Sequence, residues 1–161
     1  MPSRPFPLNA WYAAFWDAEL QRELLPRTIC NRKMVFYRRQ DGRAVALEDA
    51  CWHRLLTLSK GRLRGDEVVC GYHGLVFDPR GRCTFMPSQE TINPSACVRS
   101  FPVIEKHRFV WVWPGDPALA NSDYRIVAAP GASLRAAAAI ARNAGYEIDD
   151  LGDALEGEAR D

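Results

Sequence analysis

The chain from about residue 10 to residue 113 is patterned in short apolar runs, typical of β-strands. These runs are rich in β-branched and aromatic residues, and they are MVFY (34–37), AVAL (44–47), VVC (68–70), LVF (75–77) and FVWVW (109–113). Polar turn sequences separate them, namely Gln40-Asp41-Gly42, Arg64-Gly65-Asp66 and Asp78-Pro79-Arg80-Gly81. The stretch Asp17–Leu25 predicts one or two helical turns. The pattern therefore predicts a mainly β fold, as a sandwich or small barrel.

Residues 122–161 follow a different pattern. A predicted strand over 125–130 precedes an alanine-rich helix over 134–143, and a second strand is predicted over 146–153. This pattern divides the chain into a β region, residues 1–121, and a short βα appendage, residues 122–161. The appendage is too short to bury both faces of its helix and strands, so we expect it to be sensitive to proteases.

Charge divides the chain at the same place. Of the 21 basic and 20 acidic residues, four basic and eight acidic ones lie in residues 122–161, which leaves 17 and 12 in residues 1–121. The net charge of +1 for the whole chain predicts no nucleic-acid partner and no membrane partner. The basic surplus of the first region, in contrast, suits an acidic protein partner.

The composition, with 47% hydrophobic and 25% charged residues, is that of an ordinary soluble globular protein. The N-terminal sequence MPSRPFPLNAWYAAFWDAEL is interrupted by prolines and acidic residues, so it does not resemble a secretory signal. No stretch approaches the roughly 18–20 apolar residues of a membrane span. We therefore expect a cytoplasmic protein with reduced thiols, in which the five cysteines serve metal binding or burial.

Two short sequences carry the candidate chemistry: CWH (51–53) and CGYH (70–73), with 16 residues between them. C-x-H followed by C-x-x-H is the spacing of a Rieske-type [2Fe–2S] cluster, in which two thiolates hold one iron and two imidazoles hold the other. A zinc site with the same ligands and a chance placement of core cysteines are the alternatives. Each half mixes cysteine with histidine, which is unusual for zinc knuckles. The predicted cluster ligands are Cys51, His53, Cys70 and His73.

The sequence around these ligands resembles the Rieske non-haem iron oxygenases. The resemblance is carried by CWHRLLTLSKGRL (51–63), VVCGYHGLVFDPRGRC (68–83) and the flanks NAWYAAFWDAEL (9–20) and CVRSFPVIEKHRFVWVWPGDP (97–117). It is closest to oxygenase components of the vanillate O-demethylase type, over residues 8–121. It implies a Rieske domain of antiparallel sheets with two cluster-binding loops, a separate flavin/iron–sulfur reductase as electron donor, and a homo-oligomer, which is a trimer in the family. Electrons would leave through the edge formed by His53 and His73.

Departures from related patterns refine this expectation. Trp52 replaces the proline usual in the family, and we expect it to fill a neighbouring gap rather than to shield the cluster. Arg54 matches a common family residue, and we expect it to support the loops and the docking surface. Respiratory Rieske proteins carry a bridged pair of cysteines where this chain has Leu56 and Tyr72. Their serine and tyrosine hydroxyls after the last histidine are also missing from GLVF (74–77). Since such hydroxyls raise the potential, we predict a reduction potential near the low end of the Rieske range, roughly −150 mV.

Complete oxygenases of this family also hold a mononuclear iron through two histidines and a carboxylate. Here no histidine follows residue 116, and only His107 lies outside the cluster motif, so we expect this chain to relay electrons without oxygenating a substrate itself. We predict no catalytic residue. The segment 122–161 resembles a fragment of a glycerate 2-kinase, most clearly in LGDALEGEAR (151–160). Two other functions are possible: a stand-alone Rieske ferredoxin and a structural zinc-binding module.

Other chemistry-bearing residues are given structural roles. We predict that Cys30, Cys83 and Cys97 are buried structural thiols. His107, in EKHRF, is predicted to be a solvated residue in a turn between two strands.

Overall fold

The computed structural model describes residues 6–87 and 89–120, which form eleven β-strands and three short 3-10 helices. The strands are β1 (Tyr12–Trp16), β2 (Leu25–Ile29), β3 (Arg32–Arg38), β4 (Ala44–Glu48), β5 (Arg62–Arg64), β6 (Glu67–Val69), β7 (Val76–Phe77), β8 (Cys83–Phe85), β9 (Ser100–Phe101), β10 (Val103–Lys106) and β11 (Phe109–Val112). The 3-10 helices are Asp17–Glu19, Leu58–Lys60 and Pro117–Leu119. The predicted mainly β fold is confirmed.

The strands form three antiparallel sheets. Their strand orders are β1-β11-β10, β2-β3-β4-β9 and β5-β6-β7-β8. Every ladder is antiparallel, and most connect strands that are neighbours in sequence, which short turns can join. The exceptions are β1 with β11 and β4 with β9, and the β1–β11 pair brings the two ends of residues 12–112 together.

Strand β3 explains how the sheets stack. Its residues 34–37 are all buried, and alternate side chains point to opposite faces of the sheet. Val35 and Tyr37 belong to a core shared with β6 and β7, whereas Met34 and Phe36 belong to a core shared with β1 and β11. The sheet β2-β3-β4-β9 is therefore the middle layer of a sandwich. A continuous apolar run, in place of an alternating one, is the pattern expected of such a doubly covered strand.

The strand runs predicted at 34–37, 44–47, 68–70, 75–77 and 109–113 all overlap strands. The three predicted turns also lie between strands, and each contains a glycine with positive φ: Gly42, Gly65 and Gly81. The predicted helix over Asp17–Leu25 is only one 3-10 turn, Asp17–Glu19, and Leu25 already belongs to β2. Pro26 weakens the strand pattern of residues 25–29 in the sequence. It is tolerated because β2 lies at the edge of its sheet.

The predicted elements at 125–130, 134–143 and 146–153 lie outside the described residues, as does the appendage whose protease sensitivity is expected. The division at residues 121 and 122 therefore stays a prediction. Within residues 6–87 and 89–120, no helix is long and apolar enough to cross a membrane.

Candidate metal centre

The four predicted ligands lie on two loops. The first loop, residues 50–57, connects β4 to the 3-10 helix Leu58–Lys60 and carries Cys51 and His53. The second loop, residues 70–75, connects β6 to β7 and carries Cys70 and His73. The β6–β7 ladder places Val69 opposite Val76, so the second loop is the end of a β-hairpin.

The first loop begins with a tight turn around Cys51. The Cys51 amide donates a hydrogen bond to the Leu56 carbonyl at 2.8 Å, and the Leu55 amide donates to the Cys51 carbonyl at 2.8 Å. Leu55 has a φ of 55°, in the left-handed region that side chains other than those of glycine, asparagine and aspartate rarely adopt. The turn therefore fixes the backbone of Cys51. Its fifth residue, counted from Cys51, is Leu55, and it must adopt a left-handed conformation.

The second loop repeats this turn around Cys70. The Cys70 amide donates to the Leu75 carbonyl at 2.8 Å, and the Gly74 amide donates to the Cys70 carbonyl at 3.2 Å. Gly74, again the fifth residue, has a φ of 76°. Its Cα also faces Pro87, whose Cγ would lie 3.3 Å from a β-carbon at position 74. The two cysteines thus occupy equivalent positions in two similar turns.

A buried carboxylate closes the first loop. Asp49 is only 4% exposed, and its two carboxylate oxygens accept hydrogen bonds from the Ser59 amide and the Ser59 hydroxyl, both at 2.7 Å. The Asp49 amide donates to the Lys33 carbonyl at 3.0 Å, which ties the same residue to β3. We call the Asp49–Ser59 pair the loop clip. It connects the residues on either side of the first loop and so restrains Cys51 and His53.

A glycine lets the two loops approach each other. A β-carbon at Gly71 would lie 2.9 Å from the Lys60 carbonyl oxygen and 3.6 Å from the Cα of Gly61. Any larger residue at position 71 would separate the second loop from the end of the first. The second loop therefore lies in direct backbone contact with the segment Lys60–Gly61 that follows the first loop.

The four side chains form a buried thiol pair and an exposed imidazole pair. Cys51 and Cys70 are 2% and 3% exposed, whereas His53 and His73 are exposed. The Nδ1 atoms of the two histidines are 3.0 Å apart, and their ring centroids are 4.6 Å apart. The distance between the two Nδ1 atoms is short enough for both to bind one metal ion at about 2.0–2.1 Å each.

The thiol pair has the chemistry of a site that binds metal as thiolate. Burial raises the pKa of the Cys51 thiol to about 11, and the adjacent Cys70 thiol acts in the same direction. Hydrogen bonds from the His53 and Arg54 backbone amides oppose this rise, since they stabilise the thiolate. Cys51 therefore keeps its proton at neutral pH, and a bound metal ion must displace it.

The four side chains fit a cluster with mixed ligands. Within the described ranges, no three His, Cys, Asp or Glu side chains gather as a single metal ion would need. A thiol pair beside an imidazole pair is instead the donor set of a [2Fe–2S] cluster with one iron for each pair. The residues present thus match the predicted group in donor type and in pairing.

Two aromatic residues flank the histidines. The Tyr72 ring lies 3.8 Å from the His73 ring, centroid to centroid, and Tyr72 is largely exposed. Trp52 is 38% exposed, and the expectation that it fills a neighbouring gap stays a prediction. Its backbone lies between Cys51 and His53.

The cysteines outside the motif are less buried than expected. Cys97 is exposed, and Cys30 and Cys83 are half-buried, so the prediction of three buried thiols is wrong for Cys97. Cys97 lies in a single β-bridge opposite Arg82 at a sheet margin, where its side chain is uncovered. His107 lies with Arg108 in the two-residue turn between β10 and β11, as predicted.

Sequence reasoning did not identify the loop clip or the role of position 55. Asp49 and Ser59 lie outside the spacing of the predicted ligands. The one sequence signal for the loop clip was an acidic residue, Asp49, directly after the strand β4. Leu55 carries no turn signal, because leucine is not a residue favoured at positive φ.

An antiparallel β domain that presents paired cysteines and histidines on two loops defines a class of iron–sulfur electron-transfer domains. Residues 10–102 match the Rieske [2Fe–2S] domain, and the chain belongs to this family. Its cofactor is a Rieske-type [2Fe–2S] cluster.

Relatives of this chain are oxygenase components. It is 50% identical over 119 residues to the iron–sulfur subunit of the toluene-4-sulfonate monooxygenase system of Comamonas testosteroni, which covers 73% of this chain and 34% of the relative. It is 46% identical over 116 residues to the vanillate O-demethylase oxygenase subunit of Pseudomonas sp. HR199, covering 72% and 32%. A crystal structure of dicamba monooxygenase with non-haem iron and dicamba superimposes with a TM-score of 0.71 at 44% identity, covering 74% and 37%. The chain thus spans about a third of the length of these relatives.

Proposed function

We propose that Cys51 and Cys70 bind one iron of the Rieske cluster, that His53 and His73 bind the other, and that the domain relays single electrons. When bound, the cluster accepts and releases one electron at a time. The observation that carries this proposal is the pairing of the side chains, with buried thiols beside imidazoles whose Nδ1 atoms are 3.0 Å apart.

The protein residues have different tasks in this relay. The cysteine pair is buried and shielded from water, and backbone amides donate hydrogen bonds to the Cys51 sulfur. The histidine pair is exposed, so electrons can be exchanged with a partner through the imidazole edge. The loop clip and the two similar turns hold both pairs in position, which keeps the reorganisation on electron transfer small.

The surroundings of the second loop support a low reduction potential. Leu75 and Phe77 are buried apolar residues at the positions where high-potential proteins carry hydroxyls. Without hydroxyl donors to the cluster and its ligand, the reduced state is stabilised less, and we expect roughly −150 mV. Such a potential suits a centre that receives electrons from NAD(P)H through a reductase.

In its wider setting, the domain would serve an oxygenase component of an aromatic O-demethylase or monooxygenase. The names of its relatives support this assignment: one is the iron–sulfur subunit of a monooxygenase system, and one is the oxygenase subunit of a demethylase. The electron donor would be a separate flavin/iron–sulfur reductase, the protein would act in the cytoplasm, and it would form a homo-oligomer.

Metal analysis and spectroscopy test the proposal. We expect anaerobically purified protein to contain iron and acid-labile sulfide in equal amounts, two of each per chain, and to give the EPR spectrum of a mixed cysteine–histidine cluster on reduction. The variants His53→Ala and His73→Ala should lose this spectrum, while the off-site variant His107→Ala should retain it. Zinc in place of iron, or an unchanged spectrum in the His73 variant, would overturn the proposal.

A further inference from the structure

A polar cleft lies between strands β2 and β3 and the residues at the end of the first loop. Its volume is about 400 Å³, which falls within the range of small-molecule sites, roughly 300–1,000 Å³. The described residues that line it include no proposed cluster ligand. Strands β2 and β3 contribute Thr28 and Lys33 to this cleft, the chain from 57 to 60 contributes Thr57, Ser59 and Lys60, and Asp49 connects the two walls.

Each wall of the cleft presents one lysine and one threonine. Thr28 and Lys33 lie directly opposite each other in the β2–β3 ladder, so their side chains share one face of the sheet. On the other wall, the Lys60 amide donates a hydrogen bond to the Thr57 carbonyl at 3.3 Å, which holds these two residues in one turn. The cleft therefore combines two ammonium groups with two hydroxyl groups.

The two lysines are available to a ligand. Both are exposed, and neither enters an ion pair within residues 6–87 and 89–120. The whole chain has only three lysines among its 21 basic residues, yet two of them line this cleft. A lysine ammonium is a compact positive charge with three donors and binds phosphate groups as a point charge. The distribution of lysine thus marks the cleft as a candidate anion site.

The other charged residues of the cleft do not cancel this charge. Asp49 is 4% exposed, and its two carboxylate oxygens accept hydrogen bonds from Ser59, so the loop clip forms the buried base of the cleft. Arg27 also borders the cleft, but its guanidinium pairs with Glu19 and lies over the Phe15 ring. Two lysines against one buried carboxylate leave a positive surplus at the opening.

We propose that this cleft binds the phosphate monoester of a small molecule. Lys33 and Lys60 neutralise the phosphate, which carries a charge of about −1.5 to −2 at neutral pH. The hydroxyls of Thr28 and Thr57 donate hydrogen bonds to its oxygens. The volume favours an ester over free phosphate, because a phosphate group of five heavy atoms fills only part of it. The site uses none of the proposed cluster ligands, so it is independent of the electron-relay function.

Isothermal titration calorimetry of the cluster-loaded protein tests the site, with glycerol 3-phosphate as the probe at constant ionic strength. Inorganic phosphate, sulfate and glycerol are the comparison ligands. We expect glycerol 3-phosphate to bind at least about threefold more tightly than inorganic phosphate or sulfate, and glycerol to give no binding heat. Sulfate that binds as tightly as glycerol 3-phosphate would overturn the assignment to a phosphate ester, as would binding of glycerol or a lack of binding by the probe.

Variants then test which residues hold the phosphate. Lys33→Gln and Lys60→Gln should each weaken binding of glycerol 3-phosphate by about tenfold, and Thr57→Val by about threefold, because charged hydrogen bonds are the stronger ones. The charge-matched control is Lys106→Gln, at an exposed lysine in β10, and it should stay within about twofold of the parent. Urea unfolding without ligand establishes that each variant is folded. Equal weakening in Lys106→Gln, or full affinity in the double variant Lys33→Gln/Lys60→Gln, would refute the site.

Discussion

The two loops that carry the proposed ligands fold their cysteines into the same turn, yet the fifth residue is Leu55 in the first loop and Gly74 in the second. Each amide–carbonyl pair of one turn has its counterpart in the other, so the backbone requirement at this position is the same. Glycine meets the requirement without a steric penalty, whereas leucine costs roughly 1–2 kcal/mol in a left-handed conformation. The first loop therefore contains strain that the second one avoids.

The loops also differ in what holds their ends. The second loop is closed by the β6–β7 ladder, in which Val69 lies opposite Val76. Among the described residues no such ladder joins the ends of the first loop, and the loop clip between Asp49 and Ser59 connects them instead. Similar turns can thus be held by main-chain pairing or by a buried side chain. The first loop therefore depends more on individual residues.

The largest expected effect lies where the two loops are equivalent, at their cysteines. Cys51→Ser and Cys70→Ser should each abolish cluster binding, with iron affinity reduced by far more than the 10–100-fold that loss of a ligand's hydrogen-bond partner typically causes. Iron and sulfide analysis after anaerobic reconstitution measures this. Cys97→Ser, at an exposed cysteine outside the loops, should bind iron like the parent. Retention of the cluster by either loop variant would contradict the equivalence.

A smaller effect is expected at the loop clip, which exists only in the first loop. Asp49→Ala removes the acceptor of two short hydrogen bonds and leaves the half-buried Ser59 amide without its partner, so it should reduce the free energy of unfolding by about 3 kcal/mol. Ser59→Ala should cost about 1 kcal/mol, because it removes only the hydroxyl bond. Urea unfolding of the metal-free protein checks both values. A loss below about 1 kcal/mol for Asp49→Ala would show that the clip does not hold the loop.

The sequence was informative where one local pattern determines the structure. The continuous apolar run 34–37 predicted a buried strand, and the glycine-containing turns predicted chain reversals at Gly42, Gly65 and Gly81. The ligand spacing predicted four side chains that the structure brings into two pairs. In each case the deciding residues are close together in the chain.

Other features depend on partners that are distant in sequence. The strands β5, β8 and β10 are short and partly exposed, so their alternation is weak and pairing with neighbours defines them. The loop clip joins residues ten positions apart through one buried carboxylate, and no spacing rule singles it out. The left-handed Leu55 follows from a hydrogen-bonded turn and not from its own preference. Exposure was also hard to predict, as the exposed Cys97 shows.

A third prediction concerns the glycine of the second loop. Gly74→Ala should reduce the free energy of unfolding by about 1–2 kcal/mol, because it introduces a left-handed alanine and a contact with Pro87. Gly42→Ala is the matched control, since Gly42 has a φ of 85° with open space around it. Thermal unfolding of both variants separates the two causes. If both variants lose the same free energy of unfolding, the whole effect comes from backbone conformation and not from Pro87. No loss in Gly74→Ala would show that the two turns do not share the requirement for a left-handed residue.

The smallest expected effect has the opposite sign and occurs at Leu55. Leu55→Gly should stabilise the metal-free protein by about 0.5–1 kcal/mol, because relief of the left-handed strain exceeds the entropy that glycine adds to the unfolded chain. Leu119→Gly, at an exposed leucine without positive φ, should instead destabilise it slightly. Urea unfolding under the same conditions compares them. Destabilisation by Leu55→Gly would instead mean that the leucine side chain supports the loop and offsets the left-handed strain.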